Sequence, residues 1–217
     1  YFKLNLRKIN VTIQTENPKI FFENIPISLE EISLNFDPIN LINKENKLES
    51  LSLKSRENSI TNIILIINKY KFNLPLVLFQ NRISNGYLSF SSEFSFDSKT
   101  GDLLKFKSMG KISNLQFKLL NESILKDLNF NFDINDKHVS LNDINFSLDN
   151  IRLRSKIIQI NKKKNYEIEG EVSNEDQKID INLIKKIFKI NQINFKNKYL
   201  NIESKNKFKF IIDNKLK

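Results

Sequence analysis

Between residues 127 and 149 stand the side chains of this sequence that most invite a chemical reading. They are the single histidine, His138, and the aspartates Asp127, Asp133, Asp136, Asp143 and Asp149. An imidazole beside a carboxylate can act as a general base or a metal ligand. A series of carboxylates can hold calcium, but calcium loops need closely spaced oxygens and usually a glycine at the bend. No D-x-D-x-D-G occurs here, and the aspartates read as solvated strand and turn carboxylates. His138 falls in NDKHV, which reads as a turn, so it is taken as a turn residue. The four glycines are scattered, so no loop cradles a phosphate. Neither G-x-S-x-G nor H-E-x-x-H is present. With no cysteine there is no disulfide and no thiolate metal site. The expectation is a protein that is not an enzyme, with no catalytic residues, no metal site and no cofactor.

The basic residues raise a different possibility. The 217-residue chain carries a net charge of +10, with basic runs at 162–165 (KKKN) and 184–189 (IKKIFK). An RNA-binding sheet exposes aromatic rings among its lysines. Here the rings fall in phase with Ile and Leu, so they belong to an apolar face, and no nucleic-acid partner is expected. Lys, Asn, Ile and Phe are over-used and Ala is absent. Those four share AT-rich codons, so part of the charge reflects nucleotide bias. Outward lysines also discourage edge-to-edge strand pairing.

The elements that carry these residues alternate apolar and polar side chains with period two, the strand signal. The stretch 128–153 gives Leu128, Phe130, Phe132 and Ile134, then Val139 and Leu141. It continues with Ile144, Phe146 and Leu148, then Ile151 and Leu153. Earlier runs include Phe2, Leu4 and Leu6; Ile25, Ile27 and Leu29; Ile32, Leu34 and Phe36; and Phe94, Phe96 and Phe106 around the turn DSKTGD at 97–102. Gly101 supplies that turn's positive φ. Tyr166, Ile168 and Val172 follow, then Phe208, Phe210 and Ile212. A phase slip at Ile157–Ile158 suggests a bulge. Short polar turns join strand to strand, which argues an antiparallel meander. The predicted fold is mainly β, a long curved antiparallel sheet with a few short helices.

Three helices interrupt the strands: near 38–45 after Asp37-Pro38, over 59–70 with Ser59 as cap, and over 180–189 opened by Asp180. The shared letters INLI hint at a repeat of strands followed by a short helix. No run of about 20 apolar residues is present to span a bilayer as a helix. The chain opens directly on alternating residues and reads as a single segment, 1–217, of a larger protein, with any signal or anchor upstream.

Four stretches, taken in order, resemble the AsmA-like envelope proteins of Gram-negative bacteria, particularly the YhdP-type branch related to TamB. They are IPISLEEISLNFDPINLI, SNGYLSFSSEFSFDSKTGDLLKFKSMGKISNLQF, LKDLNFNFDINDKHVSLNDINFSLDNIRLRSKIIQI and NYEIEGEVSNEDQKIDINLIKKIF. The resemblance is one of pattern and order and covers nearly the whole chain. It implies an open, taco-like β-groove with an apolar concave face. It also implies passive movement of phospholipids between inner and outer membranes across the periplasm, and an inner-membrane anchor lying outside this chain. The alternating apolar residues named above would line the groove against phospholipid acyl chains. Two rival expectations stand beside it. One is a closed β-sandwich serving as a structural or interaction module of the envelope. The other is a secreted enzyme acting on polysaccharide, which would need clustered acids or exposed aromatics.

Overall fold

The computed structural model describes residues 2–5, 10–37, 48–70, 77–78, 80–97, 100–119, 123–162, 165–188 and 196–213. Thirteen strands occur among them: β1 (Phe2–Asn5), β2 (Asn10–Glu16), β3 (Lys19–Phe22), β4 (Ile25–Phe36), β5 (Leu48–Ser55), β6 (Asn58–Ser59) and β7 (Ile83–Phe96). Then come β8 (Leu103–Lys118), β9 (Ile124–Asn135), β10 (His138–Leu148), β11 (Ile151–Lys162), β12 (Tyr166–Asp180) and β13 (Tyr199–Ile212). Two helices follow β6 and β12 respectively, α1 (Ile60–Tyr70) and α2 (Ile181–Phe188). The sheet path is β1-β2-β4-β5-β7-β8-β9-β10-β11-β12-β13, with β3 paired to β4 and β6 to β7. All pairings are antiparallel, and β1 and β13 are the edges of an open sheet that does not close into a barrel. One layer of sheet, not two packed layers, is therefore the architecture, and the closed-sandwich expectation is corrected on that point.

The turns follow from local chemistry. Asp149 and Asn150 have φ of 47° and 73° and join β10 to β11 in a two-residue loop, the geometry that suits the right-handed twist of a hairpin. In the 97–102 turn, Gly101 has φ 79° and its N–H donates to the Asp97 carbonyl at 2.8 Å. The β9–β10 turn is shorter than the NDKH reading: Asn135 Oδ1 accepts from the N–H groups of Lys137 and His138. His138 is already the first residue of β10, and its Nδ1 lies 2.8 Å from Asn161 Oδ1 on the paired strand.

The strands run longer than single alternating runs suggest. Ile25–Leu29 and Ile32–Phe36 belong to one strand, β4, and Ile112–Phe117 continues β8, which has 16 residues. What joins the runs is a series of bulges crossing the sheet. Asn114, Asp127 and Asp143 sit at φ 52°, 54° and 54° on the neighbouring strands β8, β9 and β10. Each begins a four-residue word of the same pattern, Asn/Asp, aliphatic, amide, Phe: Asn114-Leu-Gln-Phe, Asp127-Leu-Asn-Phe and Asp143-Ile-Asn-Phe. Asn and Asp tolerate the left-handed conformation better than other side chains. The bulges are tied together. Asn114 N–H donates to Asn129 Oδ1 at 3.0 Å, and Asn131 Nδ2 to Asp143 Oδ2 at 3.3 Å. Asn129 and Asn145 each donate back to the carbonyl of the aspartate two residues earlier. Register shifts also occur within β11, between Arg154 and Ile158, and within β12, between Asn174 and Gln177. Where β12 leaves the ladder, the Gln177 amide accepts from Arg152 N–H at 3.0 Å and donates to Arg152 carbonyl at 2.9 Å. It thus satisfies both backbone groups that a strand partner would have satisfied.

Both helices lie at one end of the sheet, where β5, β8, β10 and β12 finish and β7, β9, β11 and β13 begin. Asp180 Oδ1 accepts from Asn182 N–H at 2.8 Å and opens α2. The helix expected near 38–45 lies outside the described residues apart from its flanking Asp37. If the left-handed backbone at 143 sets the bulge, Asp143→Val will lower stability by about 1–3 kcal/mol. Asp143→Gly will stay near the parent, because glycine adopts that conformation without strain. Urea unfolding followed by far-UV circular dichroism reads both; equal losses would show that the backbone angle is not what the aspartate supplies.

Candidate functional site

Strand pairing sorts the side chains onto two faces, since cross-strand partners share a face. One row runs Ile32–Leu53–Ser92–Ser108–Ile134–Val139–Ile160–Ile168–Phe210 from β4 to β13. A second runs Phe90–Gly110–Phe132–Leu141–Ile158–Gly170–Phe208 from β7 to β13. A third runs Ile13–Leu34–Leu51–Phe94–Phe106 from β2 to β8. Beyond the bulges, Ile83–Phe117–Leu125–Leu148–Ile151 makes a fourth. None of these four rows contains an ionisable side chain.

The opposite face is wet. It presents Lys105, Lys107 and Lys111 of β8 across from Ser95, Glu93 and Ser89 of β7. At the β12–β13 edge, Lys205 pairs with Glu171 at 2.9 Å, and Lys209 lies 3.9 Å from both Glu167 and Glu169. Such exposed pairs add little stability. Lys54 on β5 bonds Glu30 at 2.7 Å, and that hydrogen bond raises its pKa above the ordinary lysine value.

The residues expected to line a groove are distributed over these rows. Phe94, Phe106, Phe132, Ile134, Val139, Leu141, Leu148 and Ile151 are row members. Phe130 faces Ile112, Leu128 faces Leu115, Phe146 faces Leu153, and Ile144 faces Ser155. Phe96 stands opposite Leu103 at the far end of β7. The rows on either side of the bulges share one face, because Leu88 and Ile112 from one side and Ile83, Phe117 and Leu128 from the other all pack on the same cluster, Ile60, Ile64 and Leu115.

Four members of the face were not expected from the alternation of large apolar residues. Ser92 and Ser108 sit in register in the first row, each hydroxyl bonding the other at 2.8 Å, so neither is left unsatisfied on an apolar surface. Gly110 and Gly170 each lie under a phenylalanine of the next strand. A Cβ on Gly110 would stand 2.5 Å from the Phe132 ring and 2.2 Å from the Ser89 carbonyl; one on Gly170 would stand 2.9 Å from the Phe208 ring. Their signal in the sequence is phase: each falls where an apolar side chain was due.

Little of this face is covered. Seven apolar residues are buried among those described: Leu29, Ile60, Ile64, Leu115, Ile144, Ile179 and Ile181. None belongs to the four rows; apart from the mutually bonded Ser92 and Ser108, which are buried, the row members are half-buried by their lateral neighbours or, like Phe210 at 57 %, exposed. The chain's accessible surface is 15508 Å², against roughly 10,000 Å² for a compact chain of its mass. Full burial of apolar side chains appears chiefly where the helices and bulges lie.

The residues that first suggested chemistry do not assemble. Asp127 and Asp143 are bulge residues, Asp149 and Asp136 are turn residues, and Asp133 is a strand residue opposite Ser140. Among the described residues no three His, Cys, Asp or Glu side chains converge as a metal site would require. No helix among them is long and apolar enough to cross a membrane. A cleft of about 500 Å³ opens between α2 and the β10–β11 turn, lined by Lys126, Asp149, Asp180, Asn182 and Leu183 among others. Comparison with family models, with curated proteins and with solved structures gave no match. The apolar face is therefore the candidate site on its own geometry. Because the Ser89 carbonyl cannot move aside as a ring can, Gly110→Ala will lower stability by about 1–3 kcal/mol. A urea midpoint unchanged from the parent would contradict the close strand packing described here.

Proposed function

We propose that this chain is a segment of a lipid-carrying β-groove that shelters phospholipid acyl chains on its apolar face. The observation that carries the reading is the run of charge-free apolar rows crossing up to nine strands, over which the described residues place only helix α1, at one end. Monomeric proteins rarely leave apolar patches beyond a few hundred Å² uncovered, and larger ones mark a binding surface. Tails would be held by burial of apolar area at roughly 25 cal/mol per Å². Head groups would stay in water at the strand ends. With no charge in the rows and only the Ser92–Ser108 hydroxyls as polar side chains, a tail meets a uniform surface and slides without deep traps.

The resemblance to AsmA-like proteins extends this reading to a setting. The segment would belong to a periplasmic bridge that moves phospholipids between inner and outer membranes, anchored to the inner membrane through another part of the protein. The chemistry is passive solvation, and the residues that do it are the row members, Phe94, Phe106, Phe132 and Leu141 foremost.

Organic extraction of the purified protein followed by mass spectrometry should find phospholipid bound in near-stoichiometric amount. Phe132→Asp, which puts a carboxylate in the second row, should reduce bound and transferred lipid at least about tenfold, the effect of roughly 1.4 kcal/mol. Lys111→Glu on the wet face should leave both within about twofold, well below that tenfold step. Equal effects of the two in folded proteins, or no lipid in the parent, would reject the reading in favour of an interaction module without cargo.

A further inference from the structure

Helix α1 rests on the same face that would receive lipid. Ile60 and Ile64 are buried against Leu115, and around them pack Ile83, Leu88, Ile112, Phe117 and Leu128 of β7, β8 and β9. The sheet is shaped to receive them. Gly86 of β7 is buried at φ +154°, and a Cβ there would lie 2.9 Å from Ile60 Cδ1 and 2.8 Å from Leu115 Cδ1. Only glycine leaves room for the helix at that point.

The other end of α1 is held as well. Lys69 forms an ion pair with Glu23 in the turn between β3 and β4, and Asn68 Nδ2 donates to Gln80 Oε1 at 3.3 Å. Eleven helical residues span about 16 Å. The step from β7 across β5 to the β3–β4 hairpin is about three strand spacings, or 14 Å. The helix is therefore long enough to reach from its seat on β7 to the β3–β4 turn, where Lys69 meets Glu23. Leu65 and Ile67, exposed at 37 % and 46 %, lie on its uncovered side.

We propose that α1 is a built-in occupant of the apolar face, standing where acyl chains would otherwise lie against β7–β9. Ile60, Ile64 and Gly86 then determine how much lipid this part of the sheet holds. The inference rests on the lipid-carrying reading above. The socket residues Leu115, Phe117 and Leu128 are closed to tails, which are confined to the rows through Phe90, Phe132 and Ile134. The fit at Gly86 and the two held ends make the helix a fixed stop that narrows the path along the groove.

The test uses the whole chain loaded from vesicles of phosphatidylethanolamine and phosphatidylglycerol containing a lipid with a photoreactive diazirine in its acyl tail. In the parent, adducts should map to Phe90, Phe132 and Ile134 and be absent from Leu115 and Phe117. Adducts at Leu115 and Phe117 as frequent as at Phe132 would overturn the proposal without recourse to any variant. The double variant Ile60→Ser/Ile64→Ser should unseat the helix, bring adducts to Leu115 and Phe117, and tighten lipid retention on the order of tenfold. That gain needs only about 55 Å² of newly available apolar area. Circular dichroism reports whether the variant keeps its strands. A folded variant that holds no more lipid than a lipid-bearing parent removes this inference alone. A parent that takes up no lipid removes the lipid-carrying reading and this inference with it.

Discussion

The period of two along a strand is the constraint on which the rest of this molecule depends. One inserted residue sends every later side chain to the opposite face unless the backbone absorbs it. Strands β8, β9 and β10 each contain such a residue, and each absorbs it at an Asn or Asp in the left-handed conformation. Because the three bulges stand side by side and are joined through Asn129 and Asn131, neighbouring strands slip together. The apolar rows consequently continue past the slip on one face, and strands of up to 16 residues remain amphipathic from end to end. Without that shared slip, the face would break into patches and α1 would have no continuous surface to pack upon.

Bulges also bend and twist the strands that carry them. A line of them across the sheet gives it a preferred place to curve, with β11 and β12 continuing the line through their own register shifts. Polar side chains make the interruption tolerable. The Gln177 amide stands in for a strand partner at Arg152, and the Asn58 amide does the same for Ser28, accepting from its N–H at 2.8 Å and donating to its carbonyl at 3.0 Å. The over-use of Asn in this chain thus has structural employment as well as a compositional origin.

Packing and function meet in the uneven burial of the apolar face. Ile60, Ile64 and Leu115 form a small core where a helix covers the sheet, and Ile179 and Ile181 are buried where α2 begins. The rows away from the helices are supported sideways by contacts such as Phe94 against Phe106, with ring centroids 5.2 Å apart. A sheet stabilised by lateral packing can leave one face for a ligand. A two-layer core could not, because its lining would be consumed by its own second layer.

Much of the apolar face was legible from alternation alone, because each large apolar residue in phase had to share a face with its neighbours in any antiparallel pairing. Helix α1 was legible from the spacing of Ile60, Ile63, Ile64 and Ile67. The bulge aspartates were not: Asp127 and Asp143 look like solvated carboxylates, since a left-handed backbone leaves no mark in a period-two pattern. Ser92, Ser108, Gly110 and Gly170 were passed over because their place on the face is set by cross-strand register. His138 drew attention as a rare side chain, yet it is held by an Asn across the hairpin. The sequence by itself determined that this is a β protein with one apolar and one polar side to each strand, because that information is local and repeats every second residue. Only the tertiary structure decided that the strands form a single open layer, that the slips align into one line, and that α1 seats over Gly86. Those outcomes depend on which strands meet and in what register, a choice made by contacts between residues far apart in the chain.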